Sequence, residues 1–177
     1  MLELLNPSIA YDAIRDFLNA GGNVLALIMI VTFCMWALII ERLVYWGTAH
    51  AGVAKRAQRA WQARSERKSW FAHAQRDRLI SEVRQEADRN NGVIRALVAV
   101  TPLLGLLGTV TGMTEVFDVM AVTGSSNARL MAGGISKATI PTMAGLVASL
   151  SGLIFINTFD RNVQKASNKI ADELLIS

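Results

Sequence analysis

One cysteine and two histidines in 177 residues leave little material for several kinds of protein. A lone Cys34 closes no disulfide within the chain and builds no cysteine-rich metal site. His50 and His73 have no partner at ligand spacing, so both read as solvated surface residues and no metal is expected. No Ser-His-Asp pattern, phosphate-binding loop or paired-carboxylate site is visible, so no catalytic residue and no cofactor can be named, and an enzyme is not expected. Charge is scarce as well. Charged residues make up 18% of the chain against 52% hydrophobic, more apolar surface than one small domain buries, and lipid is the expected solvent for the surplus.

The apolar residues are gathered in three runs. The first, Gly22–Ile40, holds no charged residue and as a helix covers about 28 Å at about 1.5 Å per residue, enough for one bilayer crossing. Glu41 and Arg42 stop it, and Tyr45 and Trp46 follow one turn later, where amphipathic rings favour the headgroup layer. A cleaved signal peptide is the competing reading, but Glu3, Asp12 and Asp16 precede the run against a single Arg15, and no small-x-small cleavage site follows. The second and third runs, about Leu97–Val122 and Ile135–Phe159, are joined by the short TGSSNARLMAGG stretch and predict an antiparallel hairpin across the membrane.

Basic residues set the expected orientation. The connection from Glu41 to Gly92 holds eleven Lys/Arg against six Asp/Glu, whereas the first 21 residues hold one Arg and three acids. The long connection should therefore face the cytoplasm, with the N-terminus and the loop around Ser125 outside and the tail from Asp160 inside. The expected layout is an all-α integral membrane protein with three transmembrane helices and long cytoplasmic helical extensions. Its segments are an outer N-terminal part at 1–21, spans at 22–42, 95–122 and 135–159, a cytoplasmic helical part at 43–94, an outer loop at 123–134 and a cytoplasmic tail at 160–177.

The polar connection could instead bind nucleic acid. Its charges alternate in sign, however, and are interleaved with Val53, Ala57, Ala60, Trp61, Leu79, Ile80, Val83 and Ala87 at helical spacing, which reads as amphipathic helices packing together. The second of these helices meets no break before Gly92 and is expected to run on into the membrane with a slight bend there. Near the N-terminus, Ile14, Phe17 and Leu18 fall opposite Asp12 and Asp16, predicting a short helix on the outer membrane face between Ala10 and Ala20.

The second and third spans differ from the first in their small and hydroxyl-bearing residues. Thr101, Gly105, Thr109 and Gly112 recur at three- and four-residue steps, with Gly108 and Gly112 forming a G-x-x-x-G pair. Thr142, Gly145, Ser149 and Gly152 do the same in the third span. Such stripes are close-packing seams between helices, with hydroxyls bonding back one turn, or they line a lumen shared by several copies. Two stripes on three helices cannot both be satisfied within one small subunit on this reading, which favours a homo-oligomer.

The run TPLLGLLGTVTGMTEVF, followed by GGISKATIPTMAGLVASLSGLIFINTF, resembles the hairpin of the ExbB/TolQ/MotA proton-channel family, and the three-span length is most like its short ExbB branch. GLLGTVTGM and TMAGLVAS are the specific parts. The resemblance implies an oligomeric ring, a pentamer, around the helices of an ExbD-like single-span partner that supplies an Asp. It also implies a TonB-like protein driven by the proton-motive force across the bacterial inner membrane, for uptake of iron chelates or similar nutrients. The family's channel-lining threonines fall on Thr109 and Thr142. One position departs: the family commonly has a glutamate early in the third span, where this chain has Lys137 in GISKA. Lys137 should stand level with Glu115 and Asp118, which share a helix face, and an ion pair is expected there.

Independently of any resemblance, no Asp, Glu, His or Lys occurs between Leu97 and Gly112 or between Ala138 and Ile156. The mid-membrane part of the hairpin has nothing that titrates near neutral pH, so a proton relay needs a carboxylate from another chain, with Thr109, Thr142 and Ser149 offering hydrogen bonds. A TolQ-like role in outer-membrane integrity and a MotA-like role share that machinery. A passive scaffold without ion flow is the reading from a different class.

Overall fold

The computed structural model describes residues 7–63, 69–124 and 128–174. All regular structure among them is helical, in five elements: α1 (Pro7–Thr48), α2 (His50–Gln62), α3 (Trp70–Asp88), α4 (Asn91–Thr123) and α5 (Ala128–Glu173). Three helical stretches are long and apolar enough to cross a membrane, as the three apolar runs require. The loop position expected at Ser125 lies outside the described residues.

Helix boundaries depart from the sequence reading at three places, each for a local reason. The N-terminal helix does not stop at Ala20 but joins the first span through a kink at Gly22, whose φ of 65° and ψ of −163° lie in a region essentially reserved for glycine. Tyr11, Ile14 and Phe17 are exposed on the helix before that kink. The expected bend at Gly92 is instead a break two residues earlier: α3 ends at Asp88 and Asn90 takes φ 64°. Asparagine tolerates the left-handed region better than other non-glycine residues. Asn90 donates to Glu41 Oε2 at 2.9 Å and Asn91 to Asp88 Oδ1 at 3.1 Å. At the hairpin, α5 begins at Ala128, so most of the stretch expected as an outer loop is helix, as is the tail as far as Glu173.

The chain divides into two compact units, Met1–Met35 with Ala96–Ser151 and Trp36–Arg95 with Gly152–Ser177. The second contains the polar helices. Its core is Ala57 and Trp61 of α2, Ala72, Leu79 and Val83 of α3, Ile170 of α5 and Leu174 just after it. Ala57, Trp61, Leu79 and Val83 are among the positions that the helical spacing of the polar connection marks out, with Val53 and Ile80 packed against them, whereas Ala60 is exposed and Ala72, Ile170 and Leu174 are not marked. Ser69 starts α3 in extended conformation and its Oγ accepts from Ala72 N, satisfying one of the orphan donors of the first turn. Arg76 finishes α5: its Nε donates to Leu174 O and its Nη2 to Ala171 O, each at 2.7 Å, placing a cation on carbonyls that have no partner within the helix. Gln58 donates to Glu173.

Arg42 reads in sequence as a residue that stops a span, yet its side chain is 1% exposed. It donates to Glu86 O at 3.1 Å and pairs with Glu41 at 3.2 Å, and its guanidinium lies 4.8 Å from the Tyr45 ring centroid. A buried charge is tolerated when it is paired and hydrogen-bonded in this way. His50 differs from the solvated residue expected: it is half-buried, its ring centroid lies 4.4 Å from that of Trp46, and burial, with Lys169 as a second cause, holds its pKa below the ordinary value. His73 is exposed.

Candidate ion-pathway site

The first unit is built on the α4–α5 hairpin, where small residues permit the approach. A Cβ added at Gly105 would lie 3.0 Å from Thr142 Cα, one at Gly112 2.7 Å from Ala138 Cβ, and one at Gly145 2.8 Å from Thr101 O. At Gly108 it would lie 2.5 Å from Pro141 Cβ and 3.4 Å from Val24 Cγ1, so that glycine admits both α5 and α1. Helices in lipid gain little from burying apolar side chains against each other. Close backbone contact and interhelical hydrogen bonds take over. Gly152, the last glycine of the α5 stripe, is buried.

The hydroxyls cross the same seam. Thr142 Oγ1 donates to Gly105 O at 2.7 Å and Ser149 Oγ donates to Val98 O at 2.9 Å. Thr101, fully buried, bonds back to Leu97 O at 2.6 Å. The stripes of α4 and α5 therefore meet each other inside one chain. The expectation that a single subunit cannot satisfy both stripes does not hold, because backbone carbonyls of α4 serve as acceptors for α5. Thr109 stands on the flank of the seam, half-buried, with Oγ1 bonded to Leu106 O at 2.7 Å.

Val98 O is a particular acceptor. Pro102 lies inside α4 and has no N–H to give to the carbonyl four residues before it, which is that of Val98. The Ser149 hydroxyl occupies the vacated bond, one of the means by which a proline is accommodated in a membrane helix. Sequence reasoning named Ser149 for its place in a stripe and missed this role. The available signal was the proline itself, since an apolar span with an internal proline needs a donor from a neighbour. A second omission is Thr32, the only threonine of the first apolar run, whose Oγ1 is buried with no partner among the described residues.

Near one end of the hairpin, Lys137 Nζ lies 2.8 Å from Glu115 Oε2, with the side chains 43% and 63% exposed. Asp118, the other acid considered for this pair, is exposed and forms no ion pair among the described residues. Gly22, at the α1 kink, would bring a Cβ to 3.7 Å from Lys137 Cε. No group of His, Cys, Asp and Glu able to hold a metal ion occurs among the described residues.

What the site can do chemically follows from the directions of its hydroxyls. Thr109, Thr142 and Ser149 all give their protons to backbone carbonyls, so each offers an incoming group only lone pairs. Such a surface is complementary to a donor: a water, or a carboxyl group in its protonated form.

The sequence model of the MotA/TolQ/ExbB proton channel family matches residues 46–172. The ExbB-like 3 protein of Synechocystis sp. is 41% identical over 73 residues, 40% of this chain and 35% of its own length. The biopolymer transport protein ExbB of Salmonella typhimurium is 31% identical over 96 residues, 54% of this chain and 39% of its own length. That of Helicobacter pylori J99 is 30% identical over 90 residues, 51% of this chain and 62% of its own length. The chain thus spans well under half the length of the first two of these relatives.

Proposed function

Since the chain belongs to the MotA/TolQ/ExbB proton channel family, we propose that it is the channel-building subunit of a motor in the bacterial inner membrane, driven by the proton-motive force. Several copies form a ring, five by the family resemblance, around an ExbD-like single-span partner, and the complex energises a TonB-like protein for transport across the outer membrane. The N-terminus lies in the periplasm and the C-terminus in the cytoplasm, as the excess of Lys/Arg between Glu41 and Gly92 favours. On that orientation Lys137 and Glu115 stand at the periplasmic end of the hairpin.

The observation that carries this reading is the pairing of a mid-membrane hairpin without a titratable side chain with hydroxyls already committed as donors. Such a chain cannot relay protons alone but can discriminate between the two states of an acid brought to it. A neutral carboxyl donates to the lone pairs of Thr109 or Thr142, whereas a carboxylate meets oxygen with oxygen and keeps its desolvation cost. Protonation thus releases the partner's acid to move past the seam, and deprotonation holds it at a watered position.

The test is native mass spectrometry of the complex, expressed alone and with a single-span protein bearing a membrane Asp, followed by proton flux in vesicles. A ring that captures the partner, with flux lost in Thr109→Val and Thr142→Val while assembly persists, is the expected result. Monomers or dimers in both preparations would remove the ring. Full energised transport by both valine variants would favour the scaffold reading. Removal of outer-membrane integrity, rather than nutrient uptake, on deletion would place the chain on the TolQ-like branch.

A further inference from the structure

Arg95 immediately precedes the uncharged stretch of α4 and Asp160 immediately follows that of α5. They pair directly, with Arg95 Nη2 at 2.9 Å from each Asp160 carboxylate oxygen. Two opposite charges at the ends of adjacent apolar runs mark the level at which hydrocarbon gives way to headgroups. At that level, on the polar side, lies a cleft of about 250 Å³ lined by Arg84, Asp88, Arg95, Asp160, Val163 and Gln164.

The lining carries two guanidinium groups and two carboxylates. Arg95 and Asp160 are joined to each other, but Arg84, one turn before Asp88 on α3, is exposed and forms no ion pair among the described residues. Asp88 accepts from Asn91 through Oδ1, at 3.1 Å, and its Oδ2 takes no hydrogen bond among the described residues. The cleft thus offers one unpaired cation and one half-used anion side by side, over a neutral pair and one apolar side chain.

We propose that this cleft binds the headgroup of a zwitterionic phospholipid that carries a primary ammonium, that is, a phosphatidylethanolamine. The phosphodiester meets Arg84, whose planar fork matches phosphate oxygens. The ammonium brings three N–H donors to Asp88 Oδ2 and to the Asp160 carboxylate, and Val163 lies against the start of the glycerol backbone. A choline headgroup has no N–H to give and leaves Asp88 unsatisfied. A glycerol headgroup brings the phosphate without a cation, so the carboxylates oppose it. The inference rests on the membrane boundary alone and is independent of whether the chain conducts protons.

The test uses the full chain purified from membranes, delipidated in mild detergent and re-exposed to dioleoyl-phosphatidylethanolamine, dioleoyl-phosphatidylcholine or dioleoyl-phosphatidylglycerol, with retained lipid counted by native mass spectrometry. Phosphatidylethanolamine is expected to be retained about tenfold over the other two, a ratio in keeping with one charge-assisted hydrogen bond. Arg84→Gln should lower its retention to the phosphatidylcholine level. Asp88→Asn should erase the preference over phosphatidylcholine while leaving some phosphate-dependent binding. Both side chains are exposed, and unchanged circular dichroism verifies that the fold survives. Equal retention of the three lipids overturns the proposal, as does a phosphatidylglycerol preference that Asp88→Asn leaves intact. Displacement by water-soluble O-phosphoethanolamine at equal concentration also overturns it, since the site would then take the free ester rather than a lipid.

Discussion

Along α4 and α5 the close approaches are made at glycines, among them Gly105, Gly108, Gly112 and Gly145, whereas α2, α3 and the end of α5 meet through Trp61, Leu79, Val83 and Ile170. The two regions answer different solvents. In the polar cluster water rewards removal of apolar area, so large side chains form the contact and each fully buried one contributes about 1.5–3 kcal/mol. In the hairpin, lipid tails are as apolar as leucine and offer no such reward. Leu103, Leu106, Met143, Val147, Leu150 and Ile154 are accordingly exposed on the isolated chain, while small residues and hydroxyls face inward.

If that contrast is right, the largest effect belongs to deletion of an apolar side chain where water is the alternative. Trp61, 2% exposed at the centre of the polar cluster, should cost about 3–5 kcal/mol as Trp61→Ala. Hydrogen exchange would register the loss as faster amides in α2 and α3. In the hairpin the matching change is addition. Gly112→Leu must place a Cβ where Ala138 Cβ and Cα stand, at 2.7 and 2.8 Å, and should cost about 1–3 kcal/mol or more by overpacking. Gly133→Ala, with open space around its Cβ, is the control and should stabilise slightly through helix propensity. Equal tolerance of both glycine changes in thermal unfolding would break the comparison.

The same contrast shows which parts were legible in the sequence. Three spans and the polar core were, because periods and charge-free runs survive any tertiary arrangement: Ala57, Leu79 and Val83 were marked by spacing alone. The partner of each small-residue stripe was not. Thr101–Gly112 and Thr142–Gly152 look the same whether they face a lumen or each other, and only the fold brings Ser149 to donate to Val98 O. The break at Asn90 was hidden for a different reason. Asn-Asn-Gly permits a left-handed residue at more than one position, and the acceptor that Asn90 reaches, Glu41, is 49 residues away in sequence.

Ser149 permits a sharper test than simple removal. Its hydroxyl is needed at Val98 O because Pro102 cannot donate there. In a Pro102→Ala background the alanine N–H takes the carbonyl and the hydroxyl becomes redundant. Ser149→Ala should therefore cost about 0.6–1.7 kcal/mol in the natural chain, the range of interhelical hydrogen bonds in lipid, and distinctly less beside Pro102→Ala. A double-mutant cycle by unfolding in mixed micelles reads the difference. No coupling would mean that Ser149 merely fills space in the seam.

The smallest expected effect lies in the polar region and depends on pH. The His50 ring lies 4.4 Å from that of Trp46, tilted by 42°, and its Nδ1 is buried with no partner among the described residues. Burial, then the charge of Lys169, holds its pKa below the ordinary 6.5. The folded chain thus binds this proton less readily than the unfolded one, and linkage fixes the direction. The His50 contribution is fully present above the unfolded value and falls away as pH drops through the folded one, once protonation places a second cation beside Lys169. His50→Gln should remove this component, so the stability of the natural chain and the variant should converge on acidification below about pH 6.5. Parallel stability curves for the two between neutral and mildly acidic pH would show that His50 is hydrated in both states and that the Trp46 ring does not shield it.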